Sequence, residues 1–146
     1  MNKIRLTREF SFEMAHFLPG YDGPCKNIHG HSFRLFVTVI GQPEENNQNP
    51  KEGMVMDFQQ LKSLVKKEIV DKYDHALLVK KGCFDEQFYN YSAFSNLIEK
   101  DFQPTSENLI VEFAHIIKEN LPEVHAKYIM RKYLRKNGIE PYDKSR

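Results

Sequence analysis

From Ile4 to His16 apolar and polar residues alternate with a period of two. Ile4, Leu6, Phe10, Phe12 and Met14 take even positions; Arg5, Thr7, Glu9, Ser11 and Glu13 take odd ones. That pattern belongs to a long strand with one buried face, and His16 keeps the even, apolar parity. The prolines and glycines between Leu18 and Pro24 read as a loop. A second strand-like run, from His29 to Gly41, carries Phe33, Leu35, Val37 and Val39 at odd positions. His29 and His31 share that parity. Side chains two apart on a strand lie on one face, so these two imidazoles can aim at one point, with His16 as a third.

Three neutral imidazoles suit Zn²⁺, and three protein ligands leave one position open for substrate. Cys25 stands four residues before His29. It can serve as a thiol acting at the open position as a base, or as a fourth ligand that closes the site. Asp74-His75 follows the first helical stretch. It reads either as a helix-terminal histidine complementing the dipole or as a carboxylate orienting a proton-shuttling imidazole. His115, His125 and Cys83 read as structural.

The rest of the pattern is mixed. Asp57 to Tyr73 has a helical apolar stripe (Phe58, Leu61, Leu64, Val65, Ile69, Val70) with Asp57 as N-cap. Thr105 to Asn120 is a second amphipathic helix, with Thr105 at its N-cap and Glu107 in its first turn. Between them, Lys80 to Gln103 has no clean period, and a short helix is expected from Ser92 to Lys100. Val124 to Leu134 reads as a strand. Asn137-Gly138 reads as a hairpin turn into Ile139–Tyr142, an edge strand. The expected order is ββααββ, an α+β fold in one domain, residues 1–146, with an extended segment 80–103.

Composition narrows the class. The net charge of +1 gives no general pull toward nucleic acid or a membrane surface. Seven basic residues between Lys127 and Arg146 face only Glu140 and Asp143. They form either a solvated strand face or a grip for a polyphosphate. Two cysteines make no disulfide framework and fit a reducing compartment. No apolar run has the ~20 residues of a membrane span, and the first residues lack a signal-peptide core. A cytoplasmic location is expected.

Five motifs carry a resemblance. Phe12-Glu13-Met14-Ala15-His16, Cys25-x-x-x-His29-Gly30-His31-Ser32-Phe33, Val55-Met56-Asp57-Phe58, Asp74-His75 and Pro104-Thr105-Ser106-Glu107-Asn108 resemble, in order, those of the 6-pyruvoyl-tetrahydropterin synthase / 6-carboxytetrahydropterin synthase family. The resemblance implies a tunnelling fold, a four-stranded antiparallel sheet with two helices on one face. It implies a homo-oligomer, a trimer or hexamer, with active sites between subunits. It implies zinc on His16, His29 and His31, Cys25 as general base, and Asp74 with His75 completing a proton relay. The implied substrate is 7,8-dihydroneopterin triphosphate. The three-residue gap between Cys25 and His29 resembles the bacterial carboxy branch of the queuosine (7-deazaguanine) pathway, which releases acetaldehyde and triphosphate. The runner-up product is 6-pyruvoyl-tetrahydropterin. A third reading is a zinc-containing pterin- or purine-binding protein without turnover.

The chain departs from the family pattern in three places. Ile129 to Leu134 lacks the carboxylate that holds the pterin's amino-pyrimidine edge; Glu140 is the candidate replacement, with Thr105 and Glu107 as further substrate-binding candidates. The link from Val79 to Pro104 is longer than the family's by about fifteen residues, the scale of an added surface element. Val79 also stands where an asparagine is expected after Asp-His-x-x-Leu.

Overall fold

The structure is a computed structural model. It describes residues 2–121 and the backbone of 125–133. Strands β1 (Ile4–His16) and β2 (His29–Gly41) form a long antiparallel pair, in register from Ile4↔Gly41 to His16↔His29. Both follow the alternation expected of them, and their facing even and odd positions supply the core face.

Helix α1 (Phe58–Val65) continues through a wider π turn, Lys66–Val70, into the short α2 (Asp71–Tyr73). The Asp57 carboxylate caps α1 by accepting from the Gln59 amide at 2.8 Å. This capping satisfies one of the amides that helix geometry leaves without an internal partner. Strand β3 (Ala76–Lys80) follows, then two short 3₁₀ turns, strand β4 (Leu97–Lys100) and helix α3 (Ser106–Asn120). The last described element is β5 (His125–Tyr133).

The sheet differs from the expectation of four antiparallel strands. Its order is β4-β3-β1-β2-β5. β5 runs antiparallel to β2, but β3 runs parallel to the end of β1, and β4 parallel to β3. The sheet is therefore mixed, and the element order is ββαββαβ rather than ββααββ. The cause lies in burial. Ala76, Leu78 and Val79 are all buried, as parallel strands under cover usually are. A strand buried on both faces loses the alternation that marks it in a sequence. Val79, the departure from the family pattern, is one of these packed positions. The helix expected over Ser92–Lys100 is instead one 3₁₀ turn, Ser92–Phe94, followed by β4. The expected hairpin at Asn137-Gly138 and its return strand lie outside the described residues.

The helices cover one face of the sheet. Phe12, Phe33, Leu35, Val37 and Val39 pack against Leu61, Val65, Ile69, Leu109, Phe113 and Ile117 in a single buried cluster. Each large side chain in it contributes ~1.5–3 kcal/mol by leaving water. Phe12 stacks on Phe33 at 5.3 Å and meets the edge of Phe113 at 6.0 Å. This core ends at the His16 end of the sheet, so the histidines sit at the margin of a rigid apolar layer. Among the described residues, no helix is long and apolar enough to cross a membrane.

Candidate metal centre and active site

The register of β1 and β2 builds the centre. His16 stands directly opposite His29, and His31 lies opposite Met14. His29 and His31 are two apart on β2, so all three imidazoles share the core-facing side. Ring centroids are 4.6 Å apart for His16–His29, 5.1 Å for His16–His31 and 4.8 Å for His29–His31. One ligand nitrogen from each lies within 4.8 Å of the others. His16 is 1% exposed and His31 9%. The Phe33 ring closes the site from the core side, edge-on to both His16 and His31.

Outer contacts fix two of the rings. Nδ1 of His16 donates to the Pro104 carbonyl at 2.6 Å, and Nδ1 of His29 donates to the Asn27 carbonyl at 2.7 Å. A proton held on Nδ1 leaves the lone pair on Nε2, the arrangement of a metal-ligating histidine. Nε2 of His29 is buried and makes no hydrogen bond. A buried polar nitrogen without a partner is costly in an apo protein; a metal ion removes that cost. The donor set therefore fits a zinc-type ion held by three imidazoles. Among the described residues the group able to hold a metal is these three histidines, without Cys25.

Cys25 is half-buried in a 3₁₀ turn, Pro24–Lys26. Its carbonyl accepts from the Leu18 amide at 2.8 Å. That bond folds the loop back on itself and returns Cys25 to the end of β1, two residues beyond His16.

Asp74 and His75 occupy the corner between α2 and β3. The Glu13 amide donates to Asp74 Oδ1 at 2.8 Å, and Asp74 Oδ2 lies 3.0 Å from His75 Nδ1. The Glu13 hydrogen bond is the main cause holding the Asp74 carboxyl below its ordinary range; burial opposes it and His75 assists. The His75 amide donates to the Glu13 carbonyl at 2.6 Å. His75 adopts φ 58°, a left-handed conformation that costs a non-glycine residue roughly 1 kcal/mol or more. Its side chain is 79% exposed.

A cavity of about 330 Å³ joins the two halves: Glu13, Met14, Gly30, His31 and His75 line it. His31 and His75 thus border one space. Cys25 is not part of that lining. Thr105 caps α3, its hydroxyl accepting from the Asn108 amide at 3.2 Å. It also follows Pro104, whose carbonyl holds His16. Glu107 is exposed in the first turn of α3. Glu140 lies outside the described residues. A larger cavity, about 520 Å³, opens at the far end of β2 between Gln42, Met54, Met56, Asp57 and Leu121, and shares no residue with the histidine site.

Two contributors escaped the sequence reading. The Pro104 carbonyl is a backbone atom, invisible to residue type. Glu13 has polar parity on β1, which marks it as solvent-facing, yet its backbone holds Asp74 and His75 while its carboxylate accepts from Ser32 Oγ at 2.8 Å.

The chain is 41% identical over 97 residues to the 6-carboxy-5,6,7,8-tetrahydropterin synthase of Haemophilus influenzae, a match covering 66% of this chain and 64% of that protein, just under two thirds of its length. It is 30% identical over 123 residues to the protein of the same name from Rickettsia typhi, covering 83% of each. Its fold resembles that of an uncharacterized protein from Wolinella succinogenes (TM-score 0.67, 14% identity, covering 93% of this chain and 100% of that one). It also resembles the 6-pyruvoyl tetrahydropterin synthase of Caenorhabditis elegans (TM-score 0.58, 22% identity, covering 92% and 98%). A sequence model of the family described as 6-pyruvoyl tetrahydropterin synthase matches residues 5–133, and the chain belongs to that enzyme family.

Proposed function

We propose that this chain is a zinc-dependent carbon–oxygen lyase that converts 7,8-dihydroneopterin triphosphate and water to 6-carboxytetrahydropterin, with release of triphosphate and acetaldehyde. The observation that carries this reading is the shared cavity: His31 of the metal group and His75 of the Asp–His pair line one space. The names of the Haemophilus and Rickettsia relatives support the carboxy product.

His16, His29 and His31 would hold the zinc, which when bound supplies a Lewis acid that acidifies the substrate's side-chain hydroxyls. Asp74, kept ionised by the Glu13 amide, holds the proton of His75 on Nδ1. The other ring nitrogen then accepts and returns protons at the substrate carbons. Cys25 takes the second proton-transfer role. Thr105 and Glu107 at the start of α3, and Glu140, are the proposed contacts to the pterin. A carboxylate there would accept two hydrogen bonds from the guanidine-like edge.

The exposure of His75 suits a site completed by a second copy of the chain, in a trimer or hexamer. The reaction would serve 7-deazaguanine (queuosine) synthesis in the cytoplasm.

The test is Cys25→Ala: the variant retains zinc but releases no acetaldehyde. A variant that keeps full acetaldehyde release removes Cys25 from the mechanism. The absence of a carboxylate between Ile129 and Leu134 motivates a second reading, a zinc-containing protein that binds a pterin or purine without turnover. Dihydroneopterin binding that survives intact in Glu140→Ala would exclude Glu140 as the replacement anchor. The pyruvoyl product is separated by mass, since it retains the two-carbon fragment.

A further inference from the structure

The peptide unit between Asp74 and His75 is held at both of its polar ends. Its N–H, on His75, donates to the Glu13 carbonyl at 2.6 Å. Its C=O, on Asp74, accepts from the side-chain Nδ2 of Asn96 at 3.3 Å. The first contact comes from β1. The second comes from the long 80–103 segment. A peptide is a rigid plane, so two opposed contacts fix its rotation and with it the direction in which His75 leaves the chain. That matters here because the His75 side chain is largely exposed. Apart from the Asp74 carboxylate, little holds the ring, so the backbone of this turn governs its position.

Asn96 is itself well anchored. Its carbonyl accepts from the Leu77 amide at 3.0 Å, immediately before β4 pairs with β3 at Leu77↔Leu97. The same segment also reaches the metal half of the site. Phe84 packs on Phe17, the residue after His16, at 5.5 Å, and gathers Phe88 and Phe94 around it. Gln103 Nε2 donates to the Pro19 carbonyl at 3.0 Å, and Pro104 accepts from His16. The 80–103 stretch therefore touches the residue after His16 and the turn that carries His75, and it runs directly into Pro104, which holds His16.

We propose that Asn96 is a positioning residue: its hydrogen bond to the Asp74 carbonyl makes the 80–103 segment a strap that holds His75 toward the cavity beside the three histidines. The proposal rests on the role given to His75 above. Asparagine is suited to the task because the acceptor is a carbonyl and only the amide N–H₂ of the side chain can donate to it.

The test uses Asn96→Ala, Asn96→Gln and the isosteric Asn96→Asp in the full, zinc-loaded chain. Amide hydrogen exchange at His75 reads the positioning without any turnover. Exchange at His75 speeds up by about fivefold in Asn96→Ala, the worth of one hydrogen bond. Asn96→Asp behaves alike because it has no donor, and Asn96→Gln restores protection. With 7,8-dihydroneopterin triphosphate, Asn96→Ala lowers kcat by about the same factor and leaves KM unchanged. In a His75→Ala background it costs nothing further, since a residue acting through another is not additive with it. Wild-type exchange at His75 in Asn96→Ala would overturn the proposal, as would a kcat loss that adds fully to that of His75→Ala. A wild-type chain that protects His75 through Asn96 but turns over no substrate would leave the strap standing and remove the lyase assignment.

Discussion

His16 and His29 face each other across the β1–β2 ladder with ring centroids 4.6 Å apart. Each has its Nδ1 held by a backbone carbonyl. The carbonyls come from different parts of the fold: Asn27 lies two residues before His29 at the start of β2, and Pro104 immediately precedes the capping residue of α3. The metal group is thus oriented by the hairpin on one side and by the helical layer on the other. Both rings are held without an ion, an arrangement that would lower the entropic cost of binding one.

This arrangement predicts that metal binding requires the histidines as a set. The wild-type chain should carry about one zinc per subunit. His29→Ala should lose it, and with it the rise in thermal midpoint that zinc gives to a protein that binds it only when folded. Elemental analysis and a melting curve with and without added zinc check both. A His29→Ala chain with full zinc content would place the ion elsewhere.

Asp74 predicts a pH dependence. Its folded carboxyl titrates below the ordinary value because the Glu13 amide favours the anion. The stabilisation is therefore present above the unfolded pKa, roughly 4, and is lost as pH falls through the lower folded value. Asp74→Asn should be less stable than the wild type at pH 7, and the difference should shrink toward zero in acid. The effect is modest because the side chain is 40% exposed. Denaturant titrations at neutral and acidic pH measure it. A difference that grows in acid has the wrong sign.

Thr105 separates a structural role from a substrate role. Its hydroxyl caps α3, so Thr105→Ala should cost about 1 kcal/mol, a fall of roughly 4 °C in thermal midpoint. Thr105→Ser keeps the cap and should recover stability. If the residue also touches substrate, KM rises in Thr105→Ala beyond what Thr105→Ser leaves; equal KM values in both variants confine Thr105 to capping.

The parts of this structure that were readable in the sequence are those with one wet face. The alternation of Ile4–His16 and the odd-position run from Phe33 to Val39 specify both long strands, and their parity alone brings His16, His29 and His31 to one side. The stripe of Leu61, Val65 and Ile69 and that of Leu109, Phe113 and Ile117 specify the helices, with Asp57 and Thr105 marking their starts. The failures share one cause. Ala76, Leu78 and Val79 are buried without alternation, so β3 shows no period, and β4 is a short partner whose existence depends on β3. The mixed sheet follows from those two strands. The clamp on the Asp74–His75 peptide was unreadable for a different reason: it is made by the backbone of Glu13 and by Asn96, twenty-one residues beyond His75 and in a stretch without periodicity.

The most direct test of the functional account is product analysis on the zinc-loaded chain. Incubated without oxygen with 7,8-dihydroneopterin triphosphate, it should release triphosphate and acetaldehyde in equal amounts and leave a pterin with the mass of 6-carboxytetrahydropterin. Metal-replete, folded protein that releases neither would contradict the assignment.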